Sequence, residues 1–284
     1  MQFVLVFLFA LLAFLDGGIA AAVPTSKKPA VIMVPGAFHV PQVFEKVIRH
    51  LKKDDYQFLD AVALPSVGHV VGRQADTDAV KKVLYKHLNA GRDVVLVGNS
   101  YGCTVIGEAV KGAAQYSANS DLNTASDSNR RGRIISLVYL SGFIPYISEV
   151  EHPESKVDIH GLSPIFNFHD NNGTVTADAD LVQYPPQQAF YNLLPPREAD
   201  YWTTKLKFSS FDALNATATY IPYMGDFKVV YVIGSQDRAV SPELAQTWID
   251  QPRAEFTVEH LDSDHIAMLS TPTEVVELIK KYSV

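Results

Sequence analysis

The chain has 284 residues, 47% of them hydrophobic, with a formal charge of −7 and a single cysteine. That length supports one large domain with a substantial core, and the mild acidity argues against a nucleic-acid surface. A lone Cys103 excludes an intramolecular disulfide, so the core must stabilise the fold by itself.

The opening segment, "MQFVLVFLFALLAFL", is apolar over signal-peptide length, and "DGGIAAAVP" after it offers small residues for cleavage near Ala20 or Ala22. No Lys or Arg precedes it, so an uncleaved anchor is the alternative, but the run is short for a membrane span. Residues 1–22 are expected to be a signal peptide and 23–284 a single secreted domain, with no stable membrane span after cleavage. Sequons at Asn172 and Asn215 fit a secreted glycoprotein.

"AVIMVPGAF" then reads as a strand ending in a glycine turn, and "PQVFEKVIRHLKK" as a helix with Val43, Phe44, Val47, Ile48 and Leu51 on one face. "YQFLDAVALP" is a second strand, and "ADTDAVKKVLYKHLNAG" a second helix closed by Gly91. A third strand, Asp93 to Val97, leads into a helix beginning at Tyr101. The polar run "YSANSDLNTASDSNRRGR" holds Arg130, Arg131 and Arg133 and reads as a solvated loop before a fourth strand, "RIISLVYLSGF". Late in the chain come the strands "FKVVYVIG" and "AEFTVEHL", separated by a helix with Ser241 as N-cap and Pro242 at N1. The last helix, "TPTEVVELIKKYS", has capping-box spacing at Thr271 and Glu274.

Strands alternating with helices predict a mostly parallel sheet covered on both faces, with ligands beyond the strands' carboxyl ends. Residues about 145–223 break the alternation. The Pro-Pro pairs there, with Phe166, Phe168, Tyr184, Phe190, Tyr191, Tyr201 and Trp202, suggest a helical cap inserted over the sheet.

The stretch "VLVGNSYGCTVIG" carries the chemistry. Ser100 lies between Gly98 and Gly102 at a strand-to-helix turn, the G-x-S-x-G nucleophile elbow. A serine needs a base, and the base an orienting acid. Asp237 in "GSQDRAVSP" and His265 in "LDSDHIAML" each follow a predicted strand, in the order this elbow requires. Asp264 is the rival acid, although neighbouring loop side chains usually diverge. His260 is the rival base, although it belongs to the strand. The remaining histidines, at 50, 69, 87, 152, 160 and 169, form no metal-ligand pattern. Neither metal nor cofactor is therefore expected.

Negative charge on a substrate carbonyl calls for backbone donors. One is expected at Tyr101, the other in "VPGAFH", with Ala37 the first choice and Phe38 the second. His39 either lines the pocket or braces that turn. Phe190, Tyr191 and Trp202 are further candidates for an apolar pocket, and Cys103 reads as buried packing.

The segments "VPGAFHVPQVFEKVIRHL", "VALPSVGH", "VLVGNSYG", "LVYLSGFIP", "FYNLLPP", "GSQDRAVSPELAQ" and "SDHIAMLSTP" together resemble the α/β-hydrolase superfamily, in its compact esterase and hydroxynitrile-lyase-like branch. Pro35 departs from the histidine that many relatives carry before the glycine, and the chain ahead of the first strand is short. The expected fold is α/β, an α/β-hydrolase. The expected activity is a secreted serine hydrolase cleaving a small, largely apolar carboxylic ester, lactone or thioester. A C–C bond lyase on the same triad is the alternative, for which the resemblance implies a lysine near the histidine, with Lys205 and Lys207 as the cap's candidates. A non-enzymatic ligand receptor is the third reading. No pattern sets an oligomeric state.

Overall fold

A computed structural model describes residues 28–119, 131–161 and 163–284. The expected signal peptide, and Arg130 with most of the polar run before it, lie outside the described residues. Six parallel strands form the main sheet: β1 (Ala30–Val34), β2 (Leu59–Ala61), β3 (Val94–Asn99), β4 (Ile134–Leu140), β8 (Val229–Gly234) and β9 (Thr257–Leu261). Their order is β2-β1-β3-β4-β8-β9. Every residue of β1, β3, β4 and β8 is buried, so both faces of the central sheet are covered. This is why these strands read as unbroken Val/Ile/Leu runs rather than alternating patterns.

The covering helices follow from the same periodicity. In α1 (Glu45–Lys53), Val47 and Leu51 are buried one turn apart. In α2 (Arg73–Asn89), Arg73, Thr77, Val80, Leu84, His87 and Leu88 repeat along one buried face. Gly91, at φ 72, ends that helix in the left-handed conformation that suits glycine. The helix α3 (Tyr101–Ala109) is buried on all sides and packs against α2. Late in the chain, α8 (Pro242–Ile249) contacts β8, and α9 (Ala267–Ser270) and α10 (Pro272–Lys281) pack on α1. Ser241 caps α8 as expected, accepting from the Leu244 amide at 3.3 Å. The capping box at Thr271 does not form. Thr271 instead donates its hydroxyl back to the Ala267 carbonyl at 3.2 Å, because α9 ends directly against α10 and presents that acceptor first.

Between β4 and β8 the chain leaves the sheet. Among the described residues it holds four short α-helices, α4 (Ile147–Glu151), α5 (Pro186–Ala189), α6 (Pro196–Thr203) and α7 (Phe211–Leu214). It also holds a small antiparallel sheet of β5 (Asn167–His169), β6 (Thr174–Thr176) and β7 (Ser209–Ser210). Strands of two or three residues are too short to show a period of two, so the sequence pattern suggested helices alone. Ser209 also pairs with Val67, which ties the insertion to the loop after β2. Among the described residues, no helix is long and apolar enough to cross a membrane.

Candidate active site

The turn from β3 into α3 is built around one strained residue. Ser100 has φ 51 and ψ −125, a conformation few L-residues adopt. Backbone bonds fix it: its amide donates to the Leu140 carbonyl at 3.0 Å, and its carbonyl accepts from Cys103 at 2.9 Å and Phe143 at 3.1 Å. The flanking glycines are demanded by contact. A Cβ on Gly102 would sit 2.5 Å from the carbonyl oxygens of Val34 and Pro35, and one on Gly98 2.8 Å from the Cys103 nitrogen. Gly36 is equally constrained, because its Cβ would meet Cβ of Ser100 at 2.8 Å.

Asp237 follows β8 and His265 follows β9, as parallel strands require of residues meant to meet at one end of a sheet. His265 Nδ1 lies 2.8 Å from Asp237 Oδ2, and both side chains are buried. The other oxygen, Oδ1, accepts from the amides of Ala239 (2.8 Å) and Val240 (2.9 Å). With Oδ1 occupied, Oδ2 is the acceptor for an Nδ1–H, and Nε2 of the neutral ring keeps its lone pair. Ser100, Tyr101, Ala37 and His265 all line one cavity. The Phe190 ring packs 5.6 Å from the imidazole of His265, centroid to centroid.

Asn99 holds the parts together. Its buried Nδ2 donates to the Leu140 carbonyl at 3.1 Å and to the His265 carbonyl at 3.0 Å, tying the elbow to the histidine loop. Nothing about an asparagine in a strand signals this role.

The turn after β1 is braced twice. Phe38, at φ 68, donates its amide to Ser209 Oγ at 2.9 Å, so that amide is engaged by the insertion and is no donor to the cavity. Ala37 then remains of the two candidates in this turn, alongside the first amide of α3 at Tyr101, which a helix leaves without an internal acceptor. His39 is buried behind the turn: Nδ1 donates to the Ala37 carbonyl at 2.7 Å, and Nε2 accepts from the Tyr191 hydroxyl at 2.8 Å. A carbonyl can only accept, which fixes the tautomer. Burial pushes His39 down to about 3, so the ring is neutral.

Below Tyr101 lies a second buried group. The Tyr101 hydroxyl donates to Asp76 Oδ2 at 2.9 Å, and Ser66 supplies its amide (2.8 Å) and hydroxyl (2.6 Å) to the same carboxylate. Burial raises the Asp76 carboxyl above its usual range against these three bonds. Asp76 belongs to no recognisable motif, and Ser66 lies in the segment "VALPSVGH", which by itself assigns it no role.

The rivals and remaining candidates fall in distinct places. Asp264 turns away from the imidazole of its neighbour, accepting from Ser270 Oγ (2.7 Å), Ile266 N (3.2 Å) and Leu193 N (3.1 Å). His260 is exposed on the edge strand β9. Cys103 is buried, and burial raises its thiol well above the ordinary range, consistent with a packing role. Phe190 lines the cavity, but the indole on its wall is Trp248, not Trp202, which packs on Tyr201 from α6. Tyr191 and His39 likewise stand behind the wall, held by their mutual hydrogen bond. The side chains on the wall include Phe143, Ile159, Ile165, Phe166, Leu214, Val240 and Leu244. Lys205 sits over the Tyr201 ring, and Lys207 lines a different cavity.

Residues 31–278 match the model of the alpha/beta hydrolase family. The chain belongs to that family. Among curated relatives, it is 28% identical over 257 residues to the alpha/beta hydrolase nvfD of Aspergillus novofumigatus (strain IBT 16806), covering 89% of this chain and 96% of the relative. It is 25% identical over 261 residues to the probable hydrolase R7 of Phoma sp. (strain ATCC 20986 / MF5453), covering 89% and 97%. Its fold is similar to the crystal structure of polyneuridine aldehyde esterase, with a TM-score of 0.66 at 16% identity, covering 91% of this chain and all of that one. Membership of this α/β-hydrolase family supports hydrolysis as the coarse function.

Proposed function

We propose that this α/β hydrolase is a serine hydrolase acting on a small, largely apolar carboxylic ester, lactone or thioester. The observation that carries the reading is His265, which lines one cavity with the strained Ser100 and is held from behind by the buried Asp237 at 2.8 Å. In this reading Ser100 Oγ attacks the carbonyl carbon while His265 Nε2 takes the hydroxyl proton. Asp237 holds the ring in the required tautomer and stabilises the imidazolium. The oxyanion is received by the amides of Tyr101 and Ala37. Collapse breaks the bond to the leaving alcohol or thiol, which takes the proton from His265, and leaves an acyl-serine. Water, deprotonated by the same histidine, releases the acid.

Apolar wall residues support an apolar acyl or alcohol group. The positions of Lys205 and Lys207 speak against the C–C lyase alternative, since neither lines the cavity of His265. A pure receptor would not require a base held by a buried acid. The proposal includes secretion after removal of a signal peptide near Ala20 or Ala22. It also includes glycosylation at Asn172, which is exposed at a turn before β6, and at the half-buried Asn215. A fluorophosphonate probe tests the nucleophile. Mass-mapped labelling on Ser100, together with loss of ester turnover in Ser100→Ala, is the expected result. Full turnover in Ser100→Ala would overturn the reading.

A further inference from the structure

A second cavity adjoins the one lined by Ser100 and His265. Phe143, Ile159, Leu214, Leu244 and Trp248 line both, so the two meet across a shared apolar wall. The second cavity differs in carrying charge: Arg73, Lys156 and Glu149 are on its lining.

Arg73 is the unusual group. Its side chain is only 7% exposed, and its guanidinium lies 5.9 Å from the centroid of the Tyr101 ring, one residue from Ser100. Nε and Nη2 donate to the carbonyls of Ala213 and Leu214, both at 3.1 Å. Nη1 is buried and has no hydrogen-bond partner. Among the described residues, no carboxylate comes within ion-pair distance of Arg73 or of Lys156. Glu149 is already engaged, accepting from the Ala218 amide at 2.7 Å, and Asp76 is engaged by Ser66 and Tyr101. Lys156 bonds the Asn215 side-chain oxygen. Burial, with Arg73 as a nearby like charge, lowers its ammonium against the pull of Glu149.

The Asp76 carboxylate acts on Arg73 electrostatically but makes no direct ion pair with it, and an arginine buried without one is disfavoured against a hydrophobic side chain of similar size. Holding the two α7 carbonyls uses two of its nitrogens and leaves the third unexplained. A planar guanidinium with a free N–H edge suits a carboxylate, and a neighbouring ammonium adds charge without adding a geometric demand.

We propose that the second cavity is a subsite for a carboxylate on the arm of the substrate remote from the scissile bond, received by the Arg73 guanidinium and the Lys156 ammonium. The inference rests on the esterase reading of the adjoining site, and it narrows the substrate class. The preferred substrates are esters whose apolar body ends in an acid group, such as half-esters of dicarboxylic acids, rather than wholly neutral esters.

The test uses monomethyl esters of straight-chain dicarboxylic acids and the matching dimethyl esters, in a chain-length series. Binding to Ser100→Ala is followed by tryptophan fluorescence, because Trp248 lines both cavities. At the best length, the half-ester is expected to bind about tenfold or more tighter than the diester, the range lost with one charge-assisted hydrogen bond. Adding Arg73→Gln should erase that preference while leaving diester affinity within about twofold. Lys156→Gln, at a partly exposed position, should reduce the preference about threefold, and it decides the matter if Arg73→Gln does not fold. No preference at any length, or a preference that survives in Arg73→Gln because the acid group sits against the oxyanion donors, overturns the proposal. So does an unchanged preference in Lys156→Gln. These titrations need no turnover. Failure of Ser100-dependent hydrolysis would therefore sink the esterase reading and still leave the subsite readable.

Discussion

Replacing Asp237 by asparagine tests the proposed acid through a change of one heavy atom. Oδ1 accepts two backbone amides, from Ala239 and Val240, so the asparagine oxygen is held on that side. The new NH2 then replaces Oδ2, 2.8 Å from His265 Nδ1. A donor facing Nδ1 forces that nitrogen to accept, which moves the ring proton to Nε2. A protonated Nε2 cannot take the proton of Ser100. The expected loss in kcat is about 10⁴-fold, equivalent to about 5 kcal/mol of transition-state stabilisation. The hydrogen-bond count is unchanged, so the melting temperature should move little. The assay is kcat and KM on a chromogenic short-chain ester, with thermal unfolding of the same samples. Asp264→Asn is the control, since its carboxylate serves Ser270, Ile266 and Leu193 instead of the imidazole. An asparagine there sets an NH2 against the Leu193 amide, costing about 1–3 kcal/mol of stability with a far smaller effect on rate. If Asp264→Asn loses about 10³-fold or more at full folding while Asp237→Asn stays within about tenfold, the assignment of the acid is wrong.

Three further outcomes follow from the same geometry. His39 is held down to about 3 by burial, so the unfolded chain binds its proton first as the pH falls, and stability present above the ordinary histidine range is lost through it. Between about pH 6 and pH 4, His39→Gln should flatten the slope of unfolding free energy by up to about 1.4 kcal/mol per pH unit, and an identical slope in denaturant titrations refutes this. Asp264 shows the opposite sign: its raised carboxyl makes the folded state hold a proton longer, so stability falls as pH rises from the ordinary carboxylate range, and Asp264→Asn should gain relative to wild type over that rise. Gly102→Ala would drive a Cβ to 2.5 Å from two backbone oxygens that no rotamer can relieve, so little folded protein is expected, and a soluble variant with wild-type melting temperature would contradict it.

By itself, the sequence determined the elements whose physical signals are local. Buried parallel strands appear as continuous apolar runs, Gly91 and Ser241 mark helix ends, and a serine between two glycines at a strand-to-helix turn marks a strained elbow. Asp237 and His265 were legible because each follows a strand, and a parallel sheet puts all such positions at one end. What only the tertiary structure decided depends on contacts between segments far apart in the chain. The choice of Trp248 over Trp202 as a wall of the cavity depends on where α8 packs, and both tryptophans look alike in composition. The same is true of Ser209 engaging the Phe38 amide across 171 residues and of Asn99 holding the His265 carbonyl across 166. Arg73 begins α2 as one charged residue among several, and only the approach of α7 and Tyr101 buries it with a nitrogen unpaired. Periodicity and capping act over a few residues, whereas burial and hydrogen-bond partnership are set by the packing of the whole chain.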